Sequence, residues 1–385
     1  MTESAPPTAI IVGRSPVRLW GLTGAERLRR SLARAGVRDV HHRPDGDLSG
    51  LALADHGVLF RADWAYDNAV VASLVRTPNV GVRAPDADSP AALHVRREQA
   101  AEAARVLVEG RGAAGSSLQT IPLKTPEELC GSYNDKLRKR EVPYLLRVTA
   151  DSRASVEKRI FAGSYKGVTD VVTKYIFPLP SRIVTGWAAR LHLKPNHITF
   201  VGLLCTLATI ALWWRGQFGW GLLTAWLMCL LDTVDGKLAR VTLTSSKLGD
   251  IFDHAIDLIH PPFWYWAWIV GLGPDFAARP EAPWVLWTLV VVYVAQRLEE
   301  AYFIKVFGIE LHVWRPFDSF FRSITARRDP NLLVLTIAWV FGQEALGITL
   351  IAIWAALSFL VHLVRIAQAH WVRAQGRPIA SHLGT

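Results

Sequence analysis

Long apolar segments dominate the second half of the chain and alternate with short polar stretches. A helix needs about 20 largely apolar residues to cross a bilayer. Several segments approach that length, so we predict a polytopic α-helical membrane domain with six transmembrane helices. They lie at about 197–214, 217–232, 249–272, 283–305, 330–342 and 345–367. The fifth is short, and we expect its helix to begin further back, towards Thr325.

The first 148 residues follow another pattern, in which short apolar runs alternate with amphipathic segments. Ala9-Ile-Ile-Val12 ends at Gly13 and is typical of a buried parallel strand. Thr23-Gly-Ala-Glu26 has the spacing of a capping box and opens a helix. We therefore predict a soluble α/β domain over residues 1–148. Its elements would be strands at 9–12 and 58–60 and helices at 23–36, 98–108 and from 125 onward.

Residues 149–192 join these two regions and begin as a polar, basic stretch. From about residue 168 the spacing becomes amphipathic, which is typical of a helix lying in a membrane interface. Its apolar positions are Val171, Val172, Tyr175 and Ile176, followed by Ile183, Val184 and Trp187. Pro178 and Pro180 would break it into two pieces. A linker helix packed on the first domain is the alternative. The remaining boundaries are 193–372 for the membrane domain and 373–385 for a polar tail.

The chain has a formal net charge of +10, and 51% of its residues are hydrophobic. Basic chains often bind nucleic acid, but here the arginines flank apolar segments, as in cytoplasmic membrane loops. We therefore expect membrane lipids, and no nucleic acid, as partners. The three cysteines have no paired spacing and fit a reducing compartment. Because the apolar run at 9–12 is short and no cleavage pattern follows it, we expect no signal peptide and expect the N-terminal domain to stay in the cytoplasm.

Four aspartates lie within the apolar region, where charge is costly. Asp232 and Asp235 are three residues apart and Asp253 and Asp257 are four apart, so each pair shares one helical face. Two such pairs facing each other would repel unless cations lay between them. Carboxylate oxygens favour Mg²⁺ or Mn²⁺, and two pairs indicate two ions. Metal-assisted phosphoryl transfer follows as the leading hypothesis.

The same stretch resembles the signature of the CDP-alcohol phosphotransferases: Asp, two residues, Asp-Gly, two residues, Ala-Arg, eight residues, Gly, three residues, Asp, three residues, Asp. Every fixed position is present, at Asp232, Asp235, Gly236, Ala239, Arg240, Gly249, Asp253 and Asp257. The resemblance implies a six-helix fold in the inner membrane, with its active site on the cytoplasmic side. Enzymes of this family transfer a substituted phosphate from a CDP-alcohol to an acceptor hydroxyl and release CMP.

By that resemblance, Asp232, Asp235 and Asp253 would hold the metal ions. Asp257 would take the proton from the acceptor hydroxyl and also touch a metal. The donor would be bound by Gly236, Ala239, Arg240 and Gly249, where small residues let the nucleotide approach and Arg240 contacts phosphate.

Upstream, Lys194-Pro195-Asn196-His-Ile-Thr199 matches the start of the family's first membrane helix. Asn196 and Thr199 would then lie near the CDP group. Helix capping by Asn196 is the alternative role.

The first domain resembles sugar-phosphate nucleotidyltransferases, which hold a triphosphate in a Gly-rich loop with an Arg and a later Lys. Here the loop carries Pro16, which removes a backbone donor, and Glu26-Arg27 replaces an expected Pro-Lys pair. Asp63 matches the family's metal-binding Asp, with a helix cap or surface position as the alternative. We predict a degenerate nucleotidyltransferase-like fold without activity. A bifunctional enzyme that makes its own CDP-alcohol is the alternative.

The two-domain arrangement also resembles the bifunctional inositol-phosphate cytidylyltransferase and di-inositol-phosphate phosphate synthase. That resemblance implies an inositol phosphate acceptor, which requires cations near the site; the candidates are Arg297, Arg322, Arg327 and Arg328. Alternatively, Arg297 pairs with Glu300, and Arg327-Arg328 form a positive-inside loop.

Several substrates and one other function class fit the same residues. Another polyol phosphate and a lipid alcohol are the alternative acceptors. CDP-diacylglycerol and a soluble CDP-polyol are the competing donors, so the product belongs to phospholipid or inositol-phosphodiester synthesis. A non-catalytic scaffold that binds CDP-alcohol is the other function class. We also expect a homodimer.

Overall fold

The computed structural model describes residues 6–110, 117–135, 137–245 and 247–384. The chain divides into two compact units. The N-terminal unit comprises 1–134, 140–165 and 240–244, and the C-terminal unit comprises 135–139, 166–239 and 245–385. The α/β character predicted for the first region and the helical character predicted for the second are both confirmed.

The N-terminal unit is a sheet with helices on both faces. Thr23 caps its first helix through the expected capping box with Glu26. The helices are α1 (Gly24–Arg34), α2 (Asn68–Arg76), α3 (Ala100–Glu109), α4 (Pro126–Cys130) and α5 (Arg153–Gly163). The strands are β1 (Thr8–Val12), β2 (Val40–Arg43), β3 (His56–Arg61), β4 (Trp64–Tyr66), β5 (Val80–Arg83), β6 (Pro90–Arg96), β7 (Leu123–Lys124), β8 (Tyr133–Asn134), β9 (Lys139–Arg140) and β10 (Leu145–Arg147).

The main sheet has the strand order β2-β1-β3-β6-β5-β7. The first strand is parallel to both of its neighbours, as predicted, whereas β6 runs antiparallel to β3 and β5. Side chains of β1 alternate between the two faces. Ala9 and Ile11 belong to the core that includes α1 and α2, and Ile10 and Val12 to the core that includes α3. The sheet is therefore sandwiched between two layers of helices.

The C-terminal unit consists of helices. They are α6 (Pro178–Arg190), α7 (Pro195–Trp214), α8 (Phe218–Val241), α9 (Lys247–Gly271), α10 (Gly273–Ala277), α11 (Ala282–Phe307), α12 (Pro316–Ile324), α13 (Arg328–Val340) and α14 (Glu344–Ala374). Each of the six predicted apolar segments coincides with one helix. The second runs on to Val241, so that the first aspartate pair lies inside it. The short helix α12 was not predicted.

Three tryptophans occupy the centre of this unit. The buried ring of Trp213 meets Trp264 and Trp268 edge to face, with ring centroids 5.3 and 4.9 Å apart. Gly221 and Gly271 leave room for it: a Cβ would lie 2.2 Å from the Trp213 ring at Gly221 and 1.9 Å from the Trp213 carbonyl oxygen at Gly271. Glycine at these two positions therefore lets α7, α8 and α9 approach one another.

Helix α14 carries buried polar side chains on one face and exposed apolar side chains on another. Along α14 the buried face includes Ser358, His362 and Arg365. The exposed face of the same helix carries Leu346, Leu350, Ile353, Leu357, Leu360 and Val364. Soluble proteins rarely expose an apolar stripe of this length. The distribution fits a surface that faces lipid.

Two helices in the described part of the chain, α7 and α14, are long and apolar enough to cross a bilayer by length and composition. The other predicted spans fall short for identifiable reasons. Helices α8, α9 and α11 contain ionisable residues, and α13, with 13 residues, is only about 20 Å long. The number of helices that span the membrane stays a prediction.

Two short helices expose apolar faces. Helix α6 begins at Pro178, where the sequence predicted a break, and exposes Leu179, Ile183 and Trp187 at four-residue spacing. Helix α12 exposes Phe317, Phe320 and Ile324. Both have the one-sided character of helices that lie in an interface.

Candidate active site

Three of the four motif aspartates come together in the C-terminal unit. Asp232 and Asp235 lie on α8 and Asp253 lies on α9. One carboxylate oxygen from each lies within 4.8 Å of the others. Like charges at about 4 Å repel by about 4 kcal/mol at an effective dielectric constant of 20. Such a group is therefore stable only with nearby positive charge.

The start of α7 joins this cluster through a hydroxyl group. Thr199 Oγ1 donates to Asp235 Oδ2 over 2.6 Å, and both side chains are buried. The bond fixes the rotamer of Asp235 and ties α7 to α8. Asn196 lies on the preceding turn, exposed, and Lys194 occupies the N-cap position instead. The capping role considered for Asn196 is therefore not seen.

Arg328 supplies the positive charge, and it does so from the first turn of α13. Its Nη2 donates to Asp232 Oδ2 and its Nη1 to Asp257 Oδ1, both over 2.5 Å. Its Nε donates to Asp329 Oδ1 over 3.0 Å. The guanidinium thus bridges the two aspartate pairs, and the acceptor role that the sequence predicts for Arg328 stays a prediction.

A second layer of side chains holds Asp329, the third partner of Arg328. Thr173 Oγ1 lies 3.3 Å from Asp329 Oδ2 and 2.9 Å from Asp170 Oδ2. Asp170 and Asp329 are both buried. Arg328 is therefore held by two sets of contacts: its terminal nitrogens bind the motif aspartates, and its Nε binds Asp329, which lies outside the motif.

Asp257 is also fixed through its main chain. Pro261 and Pro262 lie inside α9 and cannot donate to the carbonyl groups four residues earlier, those of Asp257 and Leu258. The hydroxyl of Tyr293 on α11 lies 3.1 Å from the Asp257 carbonyl oxygen and 2.9 Å from that of Leu258. The single hydroxyl proton is shared between the two carbonyl oxygens and partly compensates for the two missing helical hydrogen bonds.

We expect Tyr293→Phe to destabilise the protein by about 1–3 kcal/mol, because it leaves both carbonyl groups without a donor. It should also lower catalytic turnover, since Asp257 loses its anchor. Thermal unfolding of the detergent-solubilised chain measures the first effect. Tyr302→Phe is the control, since that hydroxyl lies on the same helix and its hydrogen-bond partner among the described residues is the exposed His370, at 2.8 Å. Equal melting temperatures for the two variants would contradict the anchoring role.

A second charged group surrounds Glu300 of α11. Arg297 Nη1 lies 3.2 Å from Glu300 Oε2, His312 Nε2 lies 3.1 Å from Oε1, and Arg327 Nη2 donates to Oε1. Burial lowers the pKa of His312 to about 3, so the imidazole is neutral at physiological pH. The Arg297–Glu300 pair considered from the sequence is therefore present.

Arg322 interacts electrostatically with this group. Its buried Nε and Nη1 atoms have no hydrogen-bond partner in the described part of the chain, and neither have Nε of Arg297 and Nε of Arg327. Three guanidinium groups face two carboxylates, Glu300 and the Asp170 that interacts with Arg322, which leaves a net positive charge. The group therefore retains donors for an anion.

The remaining motif residues lie on the same two helices. Gly236 and Ala239 are half-buried on α8, Arg240 lies in its last turn, and Gly249 lies in the first turn of α9. The sequence pattern did not point to Tyr293, His312 or Asp170 as parts of these networks. Two adjacent prolines after Asp257 were the signal that an outside donor was needed.

Comparison with known proteins assigns this region. Residues 192–361 match the family model described as CDP-alcohol phosphatidyltransferase. An uncharacterised class-I protein of that family from Dictyostelium discoideum is 32% identical over 117 residues, 24% of this chain and 29% of the relative. The archaetidylinositol phosphate synthase of Pyrococcus horikoshii is 26% identical over 185 residues, 47% of this chain and 86% of the relative.

Among solved structures, the phosphatidylinositol phosphate synthase of Mycobacterium tuberculosis, crystallised with CDP-DAG, aligns with 48% of this chain and 92% of that chain. The TM-score is 0.38 and the identity 19%. The family model includes α7, α8 and α9 with all four motif aspartates, and Arg328 on α13. The C-terminal half of this chain therefore contains a CDP-alcohol phosphatidyltransferase domain.

Proposed function

We propose that this protein transfers a substituted phosphate group from a CDP-alcohol to the hydroxyl of an acceptor alcohol and releases CMP. The observation that carries the proposal is the meeting of Asp232, Asp235 and Asp253 within 4.8 Å inside the matched family region. The chain spans less than a third of the length of the Dictyostelium relative, and the activity of the whole protein is therefore part of this proposal.

The donor set suits a hard divalent ion. Three carboxylates offer only oxygen ligands, which Mg²⁺ and Mn²⁺ prefer over nitrogen or sulfur sites. Asp232, Asp235 and Asp253 would hold the metal, and Asp257 would complete a site for two ions. Bound divalent ions neutralise the diphosphate of the donor and stabilise the departing CMP.

Asp257 is the proposed general base. The acceptor oxygen attacks the β-phosphorus, the bond from that phosphorus to the oxygen of CMP breaks, and the acceptor proton passes to the Asp257 carboxylate. The Asp257 Oδ1 atom accepts from Arg328, which leaves Oδ2 to take the proton. Gly236, Ala239, Arg240, Gly249, Asn196 and Thr199 are the proposed contacts to the CDP group.

The acceptor is proposed to be anionic. Arg297, Arg322 and Arg327 outnumber Glu300 and keep unused donors. Phosphate is the anion that several arginines bind well, because guanidinium groups donate in pairs. An inositol phosphate fits this chemistry, and the Pyrococcus relative is named as an archaetidylinositol phosphate synthase. Arg328 is committed to the aspartates and contributes less.

A membrane location is supported by the apolar outer face of α14 and the polar interior beneath it. We propose that α7, α8, α9, α11, α13 and α14 cross the inner membrane, with α6 and α12 lying in its cytoplasmic interface. The motif and the N-terminal domain would then face the cytoplasm. The homodimer stays a prediction.

The N-terminal domain is proposed to be an inactive nucleotidyltransferase-like domain. Asp63 is engaged by Arg61, whose Nε and Nη2 donate to its two oxygens over 3.0 and 2.8 Å. Arg27 stands where the family's Lys would be, but it is buried, with Nη2 3.3 Å from the Tyr144 hydroxyl. Both contacts argue against a metal and triphosphate site. The domain boundaries predicted from the sequence stay predictions.

CMP release tests the function. The full chain in detergent with Mg²⁺ is assayed with CDP-inositol or CDP-diacylglycerol as donor and inositol phosphate or diacylglycerol as acceptor. We expect release only when donor and acceptor are both present, and fastest with the phosphorylated acceptor. Donor binding without release in any combination would favour the scaffold alternative. Pyrophosphate release from CTP and a sugar phosphate would overturn the inactive assignment of the first domain.

A further inference from the structure

We propose that Arg328 is a built-in counter-ion of the aspartate cluster and weakens its divalent-ion binding. The inference rests on the proposed function, because it concerns the same carboxylates. It differs from the acceptor role that the sequence suggested for Arg328.

The guanidinium and a metal ion draw on the same oxygen atoms. Asp232 belongs to the group that can hold an ion, and its Oδ2 atom accepts from Arg328 over 2.5 Å. Asp257, the base, accepts from the other terminal nitrogen at the same distance. A planar guanidinium directs one terminal nitrogen to each of two carboxylates on different helices and keeps Nε for a third. Arg328 thus joins α8 and α9 by charge.

Arg328 is also held where it is. Its side chain is only 15% exposed. Nε is fixed by Asp329, and Asp329 is fixed by Thr173, which also contacts Asp170. Every nitrogen of the guanidinium has a carboxylate partner. Moving the group aside for another cation would therefore cost the free energy of these hydrogen bonds.

The sign of the effect follows from charge. A fixed positive group beside the ligands repels a divalent ion and occupies one of its donor oxygens. Removing that charge therefore tightens ion binding. A purely structural role for Arg328 predicts the opposite, because a damaged site binds ions less tightly.

Binding of Mn²⁺ to the full chain in detergent, followed by electron paramagnetic resonance, tests the proposal. We expect the Kd of Arg328→Gln to fall at least about tenfold below that of the wild type. The matched control is Arg327→Gln, which removes the same charge from the adjacent residue. Its guanidinium contacts Glu300 rather than the motif, so its Kd should stay within about threefold of the wild type.

An unchanged or higher Kd in Arg328→Gln would overturn the inference. If that variant fails to fold, Arg328→Lys decides, because it keeps the charge but loses the two separate terminal nitrogens that contact Asp232 and Asp257. It should free one of these carboxylates, so its Kd should lie below that of the wild type, and a Kd equal to or above the wild-type value would overturn the inference. Failure of the wild type to bind Mn²⁺ would overturn the proposed metal site itself. If the wild type binds Mn²⁺ and releases CMP but Arg328→Gln leaves the Kd for Mn²⁺ unchanged, only this inference is overturned.

Discussion

Replacement of Asp257 by Asn should reduce CMP release by about 10²–10⁴-fold, the usual contribution of a general base. The amide has nearly the same shape and can still accept from Arg328, but it cannot take the acceptor proton. Donor binding should therefore change little. CMP release and equilibrium dialysis with a labelled CDP-alcohol measure the two quantities separately.

Asp275→Asn is the matched control, because Asp275 is an exposed aspartate on α10 of the same unit and lies outside the motif. It should keep the wild-type rate. Near-normal turnover by Asp257→Asn would show that another group takes the proton. Loss of donor binding would show that Asp257 also contributes to binding of the CDP-alcohol before the reaction.

Replacement of Asp253 by Asn should raise the Kd for Mn²⁺ by at least about 100-fold, more than the loss of an outer-shell partner costs. It removes one of three clustered ligands, and CMP release should fall with it. Thr199→Val should have a smaller effect, about tenfold, because it removes the hydrogen bond that orients Asp235 but keeps all three ligands. Wild-type affinity in Asp253→Asn would contradict the proposed ligand set.

The helices and the motif were predictable because both depend on local spacing. The aspartates of each pair are three or four residues apart, so any helix places them on one face. The long apolar segments likewise predicted the helices that carry them. Short elements such as β2, β4 and α12 have too few residues for a period to be recognised.

The partners of the motif could not be predicted, because they depend on packing between distant segments. Arg328 lies 71 residues from Asp257 along the chain, and no spacing rule connects them. The same holds for Tyr293, whose hydroxyl is needed only because of the two prolines in α9. The sequence Arg327-Arg328 at the start of α13 predicted a positive-inside loop or an acceptor site. In the structure, Arg327 contacts Glu300 and Arg328 contacts the motif aspartates.

Besides the hydrogen bonds of its hydroxyl, Tyr293 has a cation–π contact with its ring. The guanidinium carbon of Arg297, one turn later on α11, lies 5.5 Å from the centroid of the Tyr293 ring. Arg297 belongs to the proposed acceptor site, and the hydroxyl of Tyr293 holds the main chain of Asp257. We therefore expect binding of an anion at Arg297 to influence, through the Tyr293 ring, the residue that holds the base. By linkage, a substrate that lacks its phosphate would lose part of the catalytic alignment as well as affinity.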